Sequence, residues 1–259
     1  SSNQWWKLNR ELLNRKSKSS TIPPLKARDG KWVLDPEGKA DLLAQTFQEK
    51  SKLPTSQAQL PAEQGQCLMP QFHVVRIRWV LKIMKALKTD KASRPDKLPA
   101  RLFHECAAAL AVAIAILVRF LLKTRCWPHL WRLHWIHPLY KKGAVSNASN
   151  YRGVHLTTVI SKIAERAIAR VLTPFLDRTG AYGSDQWAFR PKRSCRDLVT
   201  LLVSRWLWAM DCGFKVAIYL SDISGAFDRV DRDILISKLR TAGLSDALID
   251  FLFSYLAPR

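Results

Sequence analysis

The amino-acid sequence predicts an α+β fold in which helices dominate. Several long segments place apolar residues at helical spacing, three short apolar runs have the length of strands, and glycine or proline separates most of these segments. Of the 259 residues, 47% are apolar, which is enough to build a substantial core. We therefore expect a globular chain of one large domain or two ordinary ones.

The first 66 residues are polar and basic, and we interpret them as a linker with islands of structure. Turn-forming residues within LKARDGKWVL predict a short hairpin. Helical spacing then predicts a helix over Val74 to Leu87 and another from Ala100 to about Lys123. The uncharged apolar run Cys106 to Val118 has thirteen residues, fewer than the ~20 that a membrane-spanning helix needs, so we expect a buried helix.

The middle of the chain alternates between predicted strands and helices. Alternating apolar residues in WRLHWIHPLYKKG predict a strand, and YRGVHLTTVISKIAERAIARVLTPFL predicts a strand that leads into a long amphipathic helix. A further helix is expected from Cys195 to about Met210.

The last segment is expected to begin with a strand. The apolar run FKVAIYLSD predicts a strand that ends at Asp222. Two helices follow, one near Arg232 to Ala242 and one in SDALIDFLFSYL.

The charge balance indicates a polyanionic partner. Forty-two Lys and Arg residues against twenty-one Asp and Glu residues give a net charge of +21, and nucleic acid is the leading candidate. A basic membrane-surface protein is an alternative that rests on charge alone. The first ten residues lack the features of a secretory signal, and the five scattered cysteines fit a reducing, intracellular compartment.

The segment YLSDISGAFDRV carries the residue pattern with the clearest chemistry. Phosphoryl transfer needs divalent metals held by carboxylates, and Asp222 follows an apolar run that would place it at a strand end. The small residues Ser224, Gly225 and Ala226 would let a triphosphate approach the backbone closely. The alternative is that Asp222 caps a strand end and that Asp228 and Asp231 form a solvated turn.

This pattern, D-x-S-G-A-F-D after an apolar run, is similar to motif A of the LINE-type (non-LTR) retrotransposon reverse transcriptases. Further segments resemble motifs of the same family in the same order: KTDKASRPDKLP, HPLYKKG, NYRGVHLTTVISKIAER and QWAFRPKRSCRDL. The resemblance implies a right-hand polymerase fold, with an α-rich fingers subdomain and the first part of the palm sheet. It divides the chain into a connector (1–66), fingers (67–212) and the start of the palm (213–259).

The resemblance also implies the roles of individual residues. Asp222 would bind two Mg²⁺ ions, with Mn²⁺ as an alternative, and Ile223 would contribute its backbone carbonyl. Ala226 would lie beside the nucleotide, and Phe227 would be the steric gate against a ribose 2′-hydroxyl. The remaining residues would bind phosphates. Arg152, Lys141 and Lys142 would bind the nucleotide, and Lys91, Arg94, Lys97, Arg190, Lys192, Arg193 and Arg196 would contact nucleic acid.

Simpler interpretations apply to parts of these patterns. The basic cluster that ends at Arg196 can be a solvated face, and Trp127, Trp131 and Trp135 recur every four residues, as on a helix or core face. Cys126, His129, His134 and His137 lie close together, but their spacing matches no standard zinc site.

The sequence departs from the family pattern in three places: Arg94 and Lys97 stand where glycine is usual, and Gly153 stands where proline is usual. No segment resembles motif B or motif C, whose paired aspartates complete the metal site, so we expect the chain to be truncated before them and inactive alone. The palm sheet would then have an exposed strand edge beside Asp222.

The resemblance implies a protein that copies RNA into DNA. Its partners would be an RNA template, a DNA primer or target, and deoxynucleoside triphosphates, and no membrane. Its location would be the nucleus, and an endonuclease would precede Ser1. The alternative hypothesis is a non-catalytic, basic RNA-binding module from a decayed or domesticated element.

Overall fold

The computed structural model describes residues 22–52, 67–69, 74–89, 95–223 and 225–257. The predicted nucleic-acid contacts Lys91 and Arg94 lie outside these residues. The chain divides into two compact units, one formed by Ser1–Lys52 with Ile136–Val154 and the other by Leu53–Trp135 with His155–Arg259.

The first unit begins with the predicted hairpin. Strands β1 (Leu25–Lys26) and β2 (Trp32–Val33) pair antiparallel. Their turn is held by the Lys31 amide, which donates to Asp29 Oδ1 at 3.1 Å, and by Gly30 at φ +86°, a conformation that glycine adopts without steric cost. The predicted hairpin is confirmed.

Helix α1 (Pro36–Lys50) follows the hairpin within the segment that we interpreted as a linker. Asp35 caps it by accepting a hydrogen bond from the Gly38 amide at 2.6 Å, and Pro36 occupies the first helical turn, where a missing N–H costs nothing. Only Leu43 of this helix is buried, so its apolar pattern is too weak to predict a helix.

Strands β3 (Trp135–Tyr140) and β4 (Tyr151–Leu156) pair in a two-stranded sheet, as the sequence predicts. The small core of the first unit joins β1, α1 and β4. Its buried members are Leu25, Leu43, Ala148 and Tyr151.

The second unit is helical. Its helices are α2 (Ile77–Lys85), α3 (Ala100–Glu105), α4 (Ala107–Thr124), α5 (Val159–Arg178), α6 (Cys195–Asp211), α7 (Arg232–Thr241) and α8 (Asp246–Tyr255). Helix α4 packs against α2, α5 and α8, and these helices share one apolar core. All the helices predicted in this unit are present, although the one expected from Ala100 is interrupted at Cys106.

Helix α4 is buried on one face only. Ala111, Ala115 and Val118 are buried, whereas Ile116 and Phe120 are more than half exposed. The expectation of a buried helix is therefore correct for about a third of its residues. Among the described residues this is the one helix long and apolar enough to cross a membrane, and core helices of soluble proteins meet the same criteria.

A cluster of aromatic rings joins the segment after α4 to α8. Trp127 is 1% exposed and meets Trp131, Phe251 and Tyr255 edge-on, with ring centroids 5.0, 5.8 and 4.8 Å away. Trp135 is 50% exposed and lies on β3. The three regularly spaced tryptophans therefore do not form one face.

Polar contacts reinforce this cluster. The Trp127 amide donates to Ser254 Oγ at 2.9 Å, and the Arg132 guanidinium donates to the Ser254 carbonyl at 2.8 Å. One turn earlier on α8, Asp250 accepts from Arg125 at 2.7 Å. Helix α8 is thus fixed by both apolar and polar contacts to one short segment.

The predicted strand at FKVAIYLSD is not formed. Residues 214–223 belong to no strand, and most of their side chains, including Phe214, Tyr219 and Leu220, are exposed. A strand is stabilised by hydrogen bonds and cross-strand contacts with a neighbour, and none of the described residues pairs with this segment. The observed architecture is α+β, without the expected palm strand.

Replacing Trp127 with Ala tests the importance of the aromatic cluster. We expect a loss of about 3–5 kcal/mol in the free energy of unfolding, because a large buried side chain is removed. Trp135→Ala, at the half-exposed position, is the matched control and should cost much less. Urea unfolding followed by circular dichroism measures both, and equal losses would contradict the assigned role of Trp127.

Candidate nucleotide and nucleic-acid site

Asp222 lies at the end of the unpaired segment 214–223, and its side chain is exposed. Among the described residues, none forms a hydrogen bond or ion pair with its carboxylate. Gly225, at φ +66°, starts a short 3₁₀ turn over Ala226–Arg229, and Asp231 then caps α7 by accepting from the amides of residues 233 and 234 at 2.9 and 3.0 Å. The alternative interpretation placed Asp231 in a solvated turn. In the structure, Asp231 is instead the N-cap of α7.

The described residues do not by themselves form a two-metal site. They contain no group of three or more His, Cys, Asp or Glu side chains arranged to hold a metal ion. Asp222 and the carbonyl of Ile223 supply at most three oxygen ligands, two from the carboxylate and one from the carbonyl, whereas a single Mg²⁺ takes six. The residues present can provide part of such a site only.

Phe227 lies against Phe189, in the segment QWAFRPKRS. The two rings meet edge-on, with centroids 6.2 Å apart and planes at 79°. Both side chains stay largely exposed, at 75% and 86%, so the pair is a surface contact. The structure thus brings together two segments that were assigned to nucleotide and nucleic-acid binding.

Two of the four predicted basic contacts in this segment hold the local loop. Arg190 donates to Asp177 Oδ1 at 2.7 Å and to the Gly183 carbonyl at 2.8 Å, and its side chain is only 15% exposed. Arg193 donates to the Ser184 carbonyl at 2.7 Å and lies 4.9 Å from the centre of the Trp187 ring. Both guanidinium groups are therefore engaged in structural contacts.

The other two, Lys192 and Arg196, are exposed, and neither has a hydrogen-bond or ion-pair partner among the described residues. In the same segment, Ser194 and Asp197 form a capping box at the start of α6. The S-x-x-D part of the family resemblance therefore has a structural explanation, because this pair satisfies free amides at the start of the helix.

Lys97 occupies a strained turn before α3. Its φ is +55°, in the left-handed region that favours glycine, and the preceding Asp96 accepts from the Leu98 amide at 3.2 Å. The glycine that the family often has at this position would relieve the strain. Lys97 itself is exposed and available to a ligand.

The predicted phosphate-binding residues Arg152, Lys141 and Lys142 belong to the first unit. Tyr151 is buried and donates to the Val145 carbonyl at 2.7 Å. Burial raises the pKa of its phenol, and the nearby Tyr140 raises it further. Because neighbouring residues on a strand face opposite sides, Arg152 projects into solvent.

The loop 141–150 that carries the two lysines is held by hydrogen bonds at both ends. The Lys141 amide donates to the Asn150 carbonyl at 2.9 Å, and the Tyr140 hydroxyl donates to the Gly143 carbonyl at 2.5 Å. Both lysine side chains are exposed. Hydrogen bonds therefore hold the backbone of the loop, and both lysine side chains are accessible to solvent.

Gly153, the departure from proline, lies close to β3. A Cβ at this position would be 2.9 Å from Ile136 Cγ2 and 3.5 Å from the Phe47 ring. Glycine therefore allows β4 to approach these side chains, and the change has a local packing reason.

Comparison with known proteins gives two similar sequences. No protein-family model matches the chain. It is 25% identical over 167 residues to the "Probable RNA-directed DNA polymerase from transposon BS" of Drosophila melanogaster. The aligned region covers 64% of this chain and 18% of that protein. It is 23% identical over 233 residues to the "Probable RNA-directed DNA polymerase from transposon X-element" of the same species. This aligned region covers 87% of this chain and 25% of that protein.

The chain thus spans about a fifth to a quarter of the length of these relatives. The similarity supports a relationship to reverse-transcriptase-like proteins of transposons.

Substitution of Arg190 and Arg196 separates structural from binding roles. Arg190→Gln should lower the free energy of unfolding by about 1–2 kcal/mol, because it removes charge-assisted hydrogen bonds that are partly exposed. Arg196→Gln should change stability by less than about 0.5 kcal/mol while weakening RNA binding. Thermal unfolding and RNA fluorescence anisotropy measure the two effects, and a stability loss at Arg196 with no binding loss would contradict this division.

Proposed function

We propose that this chain is part of the RNA-directed DNA polymerase of a non-LTR retrotransposon. The similarity to the transposon X-element polymerase carries the proposal, because it extends over 87% of the chain. The reaction would be two-metal nucleotidyl transfer that copies an RNA template from a DNA primer, using deoxynucleoside triphosphates. An intracellular location, in the nucleus, follows from the same proposal.

The exposed groups described above suit the roles that this function requires. Arg152, on the solvent side of β4, would donate charge-assisted hydrogen bonds to the nucleotide phosphates, assisted by Lys141 and Lys142. Asp222 would provide one carboxylate of the Mg²⁺ site, and the ions would neutralise charge on the phosphates. Phe227 would exclude a ribose 2′-hydroxyl by contact with its ring.

Polymerisation would require polypeptide beyond the described residues. These residues contain no group of three or more metal-binding side chains, so carboxylates to complete the Asp222 site are missing from them. In addition, α6 has no buried side chain. Many apolar side chains of α6 and of the segment 214–223 are exposed, among them Leu207, Trp208 and Phe214, as expected of elements with little packing. We therefore infer that the 259 residues alone are not catalytically competent.

A non-catalytic RNA-binding module is the second candidate. The net charge of +21 suits either function, but the replacement of a turn glycine by strained Lys97 is easier to accommodate where fingers geometry need not support catalysis. The coding sequence after Arg259 distinguishes the two candidates. A segment with paired aspartates favours the enzyme, and an early stop codon favours the module.

The role of Asp222 is tested in a polypeptide that continues through the paired aspartates. Asp222→Asn should abolish template-dependent primer extension and leave RNA binding intact, because it removes a charged metal ligand from an exposed position. Asp231→Asn makes the same change in charge, retains the cap of α7 and should preserve extension. Extension by the Asp222 variant would refute the assignment, and extension by the 259 residues alone would refute the proposed requirement for further chain.

The gate role of Phe227 is tested by Phe227→Val in the same longer polypeptide. We expect ribonucleotide use relative to deoxynucleotide use to rise by about 10- to 200-fold, the range expected when a small steric contact is lost. Phe189→Val removes the same ring pair and leaves Phe227 in place, so it should not change the ratio. Equal changes in both variants would indicate that the ring contact, and not the gate, sets selectivity.

A further inference from the structure

A groove of about 500 Å³ lies between α2 and α5 in the second unit, apart from the residues assigned above. Ile83 forms part of its floor and is buried. The groove is lined by Lys82, Ile83, Ala86, Arg166, Ala169, Arg170, Thr173 and Pro174.

The groove carries three positive charges and no negative one. Lys82 projects from α2, and Arg166 and Arg170 project from α5, all three with exposed side chains. None of the lining residues is Asp or Glu, and within the described part of the chain these three cations form no ion pair. Their charge is therefore uncompensated.

The spacing of these cations suits a repeating anion. Arg166 and Arg170 are one helical turn apart, which places their Cβ atoms roughly 5–6 Å from one another. Like charges at this spacing destabilise a helix unless an anion lies between or beside them. Lys82 supplies a third cation from the opposite wall, so consecutive phosphates of one strand would meet cations on both sides.

We propose that this groove binds the phosphodiester backbone of a nucleic acid, as a track distinct from the residues assigned to the polymerase site. This proposal rests on the proposed function, because that function supplies nucleic acid as the partner. Cations on two neighbouring helices suit a single strand that runs between them, since each of its phosphates would lie within reach of one cation. The lining also has no aromatic ring on which a base would stack, so the contact is to the backbone and independent of sequence.

The test measures how RNA binding depends on salt concentration. It compares the 259-residue chain with two triple variants. The groove variant is Lys82→Gln, Arg166→Gln, Arg170→Gln. The control variant is Lys123→Gln, Arg205→Gln, Arg240→Gln, which removes the same number and kinds of exposed charges elsewhere in the second unit. Fluorescence anisotropy with labelled single-stranded RNA at several salt concentrations gives the slope of log affinity against log salt.

The groove variant should reduce the magnitude of this slope by about 2, since each phosphate contact contributes about 0.7 on a single strand. The control variant should change it little, and Arg166→Lys with Arg170→Lys should keep the wild-type slope because the charges remain. Circular dichroism and thermal unfolding establish that each variant is folded. If the groove variant does not fold, the three single glutamine variants take its place, and each should reduce the slope by about 0.7.

The outcomes separate this proposal from the broader one. No RNA binding by the wild-type chain would overturn both. Wild-type binding with equal slopes for the groove and control variants would overturn the groove alone. Binding to acidic phospholipid vesicles that is lost in the groove variant, together with equal RNA slopes for the groove and control variants, would also overturn it, in favour of a membrane surface.

Discussion

The burial of Trp127 against α8 is the contact on which the second unit depends. It joins a segment near the middle of the chain to one near residue 255, and the same short segment pairs Arg125 with Asp250. Helix α8 in turn packs on α4 and α7, and the carbonyl of Gly243, between α7 and α8, accepts from the amides of residues 68 and 69. One aromatic cluster therefore organises elements that are distant in sequence.

The segment with the strongest functional pattern lies outside this framework. Helix α6 and residues 214–223 contribute nothing to the apolar core, and Phe227 touches another exposed ring. Elements with few buried contacts open most readily. The core thus holds the part of the chain that carries the groove cations, whereas the Asp222 segment needs additional packing to be fixed in place.

Much of the fold follows from the sequence because its helices are strongly periodic. The hairpin, β3, β4 and the helices of the second unit were predicted from apolar spacing and turn residues. Helix α1 was missed because its apolar face is narrow. The prediction of a strand before Asp222 was wrong. The composition of this segment favours a strand, but a strand forms only beside a neighbouring strand, which composition does not reveal.

The candidate site was predictable in residue type but not in contacts. The exposed cations Arg152, Lys192 and Arg196 were identified from their positions in matching segments, and their binding roles stay predictions. The structural contacts of Arg190 were not predictable, because Asp177 is distant in sequence and the loop between them has no regular pattern. Basic clusters in sequence therefore mix binding groups with groups that hold the backbone.

Positive φ angles occur among both kinds of cation. Arg125, Lys97 and Lys192 all have positive φ, which costs on the order of 1–3 kcal/mol each. Arg125 forms an ion pair with Asp250, and because both side chains are half exposed this pair offsets only part of the cost. Lys97 and Lys192 have no ion-pair partner among the described residues, and their binding roles stay predictions.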